Sequence, residues 1–156
     1  MKKKSIPLNL KKKIMDGVIL PAMTYGAETW ALTKRQKNKL AVAQRSMERS
    51  LLNITRRDKW RNEEIRSRTK VTDILEKAEK MKWEWAGHVA RMKTNRWAKI
   101  TTEWTPIERK RRPGRPKRRW RDEIQQQQGI TWMRRAQDRK LWRSLWRPLA
   151  CSGLNG

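Results

Sequence analysis

Phenylalanine is absent from this chain, and histidine, cysteine and tyrosine occur once each. A lone cysteine, Cys151, excludes an internal disulfide framework and any multi-cysteine zinc site. The one histidine, His88, lies far from it in sequence, so a Cys–His nucleophile pair or a mixed zinc site has almost nothing to draw on. The seven glycines, at 17, 26, 87, 114, 129, 153 and 156, form neither a dinucleotide-binding GxGxxG nor a phosphate-cradling GxxxxGK[ST]. No apolar run approaches the roughly 20 residues that a membrane span needs. The start, Met1-Lys2-Lys3-Lys4, lacks the apolar stretch of a secretory signal. These absences together predict an intracellular protein with no cofactor, no metal, no membrane and no small-molecule substrate. Leu, Ile and Val make up only 26 of 156 residues, a level that with strong charge ordinarily means disorder.

Ten tryptophans oppose that conclusion, because each can bury far more apolar area than a leucine. The composition therefore predicts a modest core of Trp and Met that carries basic, less ordered stretches. Lys and Arg number 41 against 15 Asp and Glu, a net charge of +26. A polyanion is the partner that such an excess fits. The charge is uneven: residues 34–61 carry +8 and 96–121 carry +9, whereas 62–95 carry only +2. The near-neutral middle is the natural place for a packed helix. In 109–121 nine of thirteen residues are basic, most of them arginine, and none is acidic. Such a run repels itself, and arginine suits bidentate phosphate contact and base stacking.

The pattern is helical, with little strand signal. A first helix is expected over 8–25, with Ile14, Val18, Ala22 and Tyr25 on its apolar stripe, a kink or break at Pro21 and a stop at Gly26. Thr33 is placed to cap a helix over 34–52 with a Leu40, Ala43, Met47, Leu51 stripe. Asn62 begins a short helix to 68, and Thr72 caps a stronger one over 73–92 with Ile74, Ala78, Met81, Trp85, His88 and Met92 inward. Residues 96–104 read as either a short helix or extended chain. Pro116 opens a helix to about Gln128, and Thr131 caps a last one over 132–147. The fold class is all-α: a small irregular helical bundle with a basic, proline-interrupted linker and a C-terminal helical pair. In domains this reads as a bundle over 1–104, a linker over 105–119, C-terminal helices over 120–147 and a disordered tail over 148–156.

The chemistry on offer is binding. Basic residues recur beside tryptophan, as in Lys59-Trp60-Arg61, Arg96-Trp97 and Arg119-Trp120-Arg121, so that an indole face can stack a base while a cation clamps phosphate. Trp85, Trp120 and Trp142 are expected in the core, and Trp60 or Trp97 at a stacking surface. Asp122-Glu123 reads as neutralising a helix start rather than holding a metal. Nucleic-acid contact is assigned to Lys34, Arg35, Arg45, Arg49, Arg56 and Arg57, and to Arg109, Lys110, Arg111, Arg112, Arg115, Lys117, Arg118, Arg119 and Arg121. No catalytic residue is assigned. Gly114-Arg115-Pro116-Lys117 also matches half of an AT-hook, a turn that lays arginine into a narrow minor groove, although Pro113 stands where a second arginine belongs. The same stretch satisfies a nuclear-localisation pattern, and the nucleus is the expected compartment.

Several of these segments resemble one family in order. Tyr25-Gly26-Ala27-Glu28-Thr29-Trp30, Ala43-Gln44-Arg45-Ser46-Met47-Glu48-Arg49, Asn62-Glu63-Glu64-Ile65-Arg66 and Trp85-Ala86-Gly87-His88-Val89-Ala90-Arg91 are similar to stretches that follow the palm in certain reverse transcriptases. These are the enzymes of non-LTR retrotransposons with an apurinic-type endonuclease. Arg96-Trp97, then Gly114-Arg115-Pro116 followed by Arg119-Trp120 and Asp122-Glu123-Ile124, and finally Ala136-Gln137-Asp138-Arg139 with Trp142, continue the resemblance over about residues 10–147. It implies a thumb and C-terminal region that begins at an internal or adventitious methionine. The family's palm aspartates, in a YxDD-type motif, and its endonuclease lie upstream and have no counterpart here. What the resemblance carries over is the holding of template–primer by its backbone, with RNA, DNA or an RNA–DNA hybrid as partner and an upstream palm as a possible neighbour. Two other readings stay open: a chromatin or minor-groove binder using Arg115, and a non-functional retroelement remnant.

Overall fold

The computed structural model describes residues 6–104 and 119–146, and within them every regular element is helical. The fold is all-α. Its contacts divide the chain into two units: one holds the chain up to Gly26 and Leu32–Ala78, the other Ala27–Ala31 and the chain from Glu79 onward. Among the described residues no helix is long and apolar enough to cross a membrane.

The first unit opens with one continuous helical run, α1 (Leu8–Ile14), a π-helical turn (Met15–Ile19) and α2 (Leu20–Met23). Pro21 stands two residues after the π turn, in the first turn of α2. A proline cannot donate to the carbonyl four residues earlier and its ring crowds that carbonyl. Widening the preceding turn accommodates both defects without ending the helix, so Pro21 does not break the run. The wide turn also moves the buried face. Met15, Leu20 and Thr24 are all fully buried, at spacings of five and then four. The expected stripe lies outside instead: Ile14 is 43 %, Val18 63 % and Tyr25 87 % exposed, and Ala22 is exposed too. Gly26, at φ +69°, takes the chain out of the helix where glycine was expected to do so.

Helix α3 (Lys34–Leu52) starts at the expected cap. Thr33 accepts from the Gln36 N–H while the Gln36 side chain accepts the Thr33 N–H, a complete capping box. It ends on Asn53 in the left-handed region, at φ 56°. Leu40, Met47 and Leu51 pack with Met15, Leu20, Val71 and Ile74 as the core of this unit; Ala43 is exposed. The most buried α3 side chains are polar: Gln44, Arg45 and Glu48. Gln44 serves the next connection, donating to the Thr72 carbonyl at 2.7 Å and accepting the Ile74 N–H at 2.9 Å. Helix α4 (Asn62–Thr69) begins at the expected residue, but its N-cap is Arg61, one residue before the expected cap, with the Arg61 N–H held by the Glu64 carboxylate.

Helix α5 (Ile74–Ala90) contains the division between the units, after Ala78. Its cap is Asp73 rather than Thr72, because the Asp73 carboxylate accepts the Leu75 and Glu76 N–H groups at 2.8 and 3.2 Å. Its inner face in the second unit runs through Lys82, Trp83, Ala86, Val89 and Ala90, all buried. Ile74 and Ala78 are buried as expected, but His88 is exposed and Trp85 half-buried, so the stripe departs from the expected one beyond Ala78. The cause is packing against indoles, which needs small residues opposite. Trp83 and Trp142 stack with centroids 3.9 Å apart and planes within 7°. Each indole N–H donates to the other's backbone carbonyl, at 3.1 and 3.0 Å. Gly87 admits the Trp142 ring, since a Cβ there would lie 2.6 Å from two of its atoms.

The rest of this unit comprises a 3-10 turn (Ala27–Thr29), α6 (Trp97–Glu103), α7 (Asp122–Gln128), α8 (Trp132–Arg135) and α9 (Arg139–Ser144). The ambiguous 96–104 stretch is thus a helix. Its core is Trp83, Ala86, Ala90, Ile124, Trp132, Ala136 and Trp142, with Trp120 and Trp146 packed at its edge. A buried Lys82–Glu123 ion pair at 2.6 Å also donates from Lys82 to the Trp30 carbonyl, and the Trp120 indole donates to the Glu28 carbonyl at 2.6 Å. These bonds secure the Ala27–Ala31 segment to the unit. The expected helix over 132–147 is two helices. Asp138 captures the Lys140 and Leu141 N–H groups at 2.8 and 3.1 Å, starting α9 afresh. Helix α7 starts at Asp122, later than expected, with Asp122 accepting the Arg119 N–H at 2.6 Å; the expected start at Pro116 lies outside the described residues.

Candidate nucleic-acid interface

The α3 sequence contains one acidic residue, Glu48, and the fold turns it inward. Glu48 pairs with Arg45 and accepts the Thr69 hydroxyl at 3.3 Å. Arg45 also reaches Asp73 at 3.2 Å, and Arg66 reaches the same carboxylate oxygen at 2.6 Å. Arg45 is therefore a buried structural cation joining α3 to the start of α5, and its assignment to phosphate contact is corrected. A charge removed from water needs such partners, and both of its bonds are spent on them.

The outward face of α3 is left cationic. Lys34, Arg35 and Lys39 are exposed within its first two turns, and with Asn38, Val42 and Ala43 they line an open groove. Their spacing puts Lys34 over Asn38 and Arg35 over Lys39, one turn apart. Arg49 is half-buried in the last turn. Beyond α3, Arg56 and Arg57 are exposed on a 3-10 turn (Arg56–Asp58). One acid, Asp58, stands beside these two arginines on the same turn. Asp58 is committed to Thr55, whose backbone N–H and hydroxyl donate to it at 2.6 and 3.0 Å. Those bonds hold the Asp58 carboxyl below its ordinary range. Lys39 was missed because periodicity alone does not separate it from Lys37, which is half-buried.

In the second unit the assigned residues divide differently. Arg119 is exposed. Arg121 is half-buried and donates to the Thr102 and Glu103 carbonyls at 3.1 and 3.0 Å, where it closes the C-terminal end of α6. Arg109, Lys110, Arg111, Arg112, Arg115, Lys117 and Arg118 lie outside the described residues, as does the half AT-hook. Of the tryptophans expected in the core, Trp142 is buried, while Trp85 and Trp120 are half-buried; Trp83 and Trp132 are the other buried indoles. Trp60 has a face occupied by the Arg68 guanidinium at 4.1 Å, whereas Trp97 is 79 % exposed. Among the described residues no cluster of His, Cys, Asp or Glu could hold a metal ion.

No protein-family model matches the chain, and no solved structure does. The chain is similar to a Caenorhabditis elegans protein described as uncharacterized and transposon-derived, at 37 % identity over 146 aligned residues. That alignment covers 85 % of this chain and 52 % of the relative, so the chain spans about half the length of the curated relative it matches. Over most of its length, then, this strongly basic chain is similar in sequence to a protein described as transposon-derived.

Proposed function

We propose that the chain is a backbone-directed nucleic-acid-binding region of a retroelement reverse transcriptase, corresponding to thumb and C-terminal sequence, with no polymerase or endonuclease chemistry of its own. The observation that carries this reading is the outward face of α3. Its three exposed cations, Lys34, Arg35 and Lys39, are left without an acid on their helix because Glu48 is buried against Arg45. A surface of this kind neutralises phosphates and releases their counterions, which gives affinity without sequence preference. Arg56 and Arg57 add to it, and the transposon-derived relative fits a retroelement origin. The partner is RNA, DNA or a hybrid of the two, and the compartment is the nucleus.

Titrating a labelled duplex at two salt concentrations tests the reading. Binding that weakens steeply with salt and is equal for unrelated sequences is the expected outcome. Absent or salt-insensitive binding would contradict it.

A further inference from the structure

The second unit holds a cleft that the backbone reading does not use. It lies between α5 and α9, has a volume of about 630 Å³, and is lined by Lys80, Glu84, His88 and Arg91 on one side and Arg139, Arg143 and Trp146 on the other, over a floor of Trp83 and Trp142. Resting on the nucleic-acid reading above, we infer that this cleft takes one unpaired nucleotide of a bound strand, its phosphate held by Arg91, Arg139 and Arg143 and its base laid against Trp146.

The electrostatic argument comes first. Four cations and one acid, Glu84, face the cleft. Arg139 and Arg143 stand one turn apart on α9, a like-charge spacing that destabilises an isolated helix. Burial, and after it the charges of Arg139 and Arg143, push the Arg91 guanidinium below the ordinary range. Arg91 is anchored by one bond, from Nη1 to the Ala136 carbonyl at 2.6 Å, and its buried Nε has no acceptor. Three guanidinium groups converging on one cavity are a poor arrangement until an anion enters. Phosphate is the anion whose oxygens match their planar donor forks.

Shape then selects the ligand. Phosphates along a duplex are met by an open surface such as that of α3, whereas this cleft is a recess between two helices. Its size lies within the range of pockets for small organic groups. The walls are aromatic. Trp83 and Trp142 are consumed by each other, but Trp146 is only half-buried, tilted 53° from Trp83 at 5.9 Å, and His88 stands exposed at 5.3 Å from the Trp85 ring. An indole beside a cluster of arginines is what holds a base that has left its stack.

The test uses the full chain and two labelled ligands: a blunt duplex, and the same duplex with a short single-stranded overhang. The overhang is expected to bind roughly tenfold tighter or more, as one stacked base contributes. Arg139→Ala with Arg143→Ala, both exposed positions, is expected to abolish that preference while changing blunt-duplex affinity by less than about threefold, with the circular dichroism unchanged. Trp146→Ala is expected to reduce the preference in the same way. Equal affinity for the two ligands, or a preference that survives the double arginine variant, would overturn the inference. Salt-dependent blunt-duplex binding with no overhang preference would overturn this pocket alone. Overhang binding without blunt-duplex binding would sustain the pocket and remove the backbone reading.

Discussion

A guanidinium is the same group wherever it sits, and the fold alone decides what it does. Arg45 and Arg35 stand on one helix; the first is buried between Glu48 and Asp73 and the second is exposed. Arg45→Ala is expected to cost about 3 kcal/mol, because it strands the buried Glu48 carboxylate, yet to leave the nucleic-acid affinity of the folded protein unchanged. Arg35→Ala is expected to do the reverse, with stability held within about 0.5 kcal/mol and weaker binding. Denaturant midpoints and titrations on the two variants check both halves. Gly87 gives the opposite lesson about small residues. Alanine normally favours a helix interior over glycine by about 1 kcal/mol. At this position its Cβ would meet Trp142 at 2.6 Å, where the indole already spends its N–H on the Trp83 carbonyl. Gly87→Ala is therefore expected to destabilise by about 1–3 kcal/mol, read from the denaturant midpoint. Neither role was legible in the sequence, since a buried arginine or a close-contact glycine is written with the same letter as an ordinary one.

At the scale of elements, legibility depended on whether the signal was local. The start of α3 was readable because Thr33 and Gln36 form a complete capping box within four residues. The face of the first helical run was not, because a π turn inserts an extra residue and no short pattern announces it. That shift is testable. Met15→Ala is expected to cost about 2–5 kcal/mol as a fully buried side chain lost from a core. Ile14→Ala, one residue away and no less apolar, is expected to stay within about 0.5 kcal/mol. Equal costs would mean that the buried face does not follow the wide turn. The split of α8 from α9 was also local in cause, but its signal, Asp138, is an ordinary surface residue until its carboxylate captures two N–H groups. Asp138→Ala is expected to cost about 1 kcal/mol, seen as a lower thermal midpoint.

At the scale of the whole molecule, the charge balance was the plainest signal in the sequence, because the +26 excess does not depend on fold. What it could not disclose is how that charge is distributed once Arg45, Arg121 and Lys82 are taken up by structural bonds. The all-α class was readable because cap residues and glycine stops punctuate the chain, even though the core of the second unit is indole rather than aliphatic. The half-legible feature is the binding face itself. Lys34 and Arg35 were expected at the contact surface of a basic helix, whereas the exposure of Lys39 and the inward turn of Glu48 appear only in the fold.

The most direct test of the account is therefore the salt dependence of duplex affinity, compared between the natural chain and a variant carrying Lys34→Ala, Arg35→Ala and Lys39→Ala. Each phosphate contact contributes about 0.9 to the slope of log affinity against log salt. The account predicts a linear fall in the natural chain, with a slope about two to three units shallower in the variant. The same slope in both proteins, or no binding by the natural chain at low salt, would contradict it.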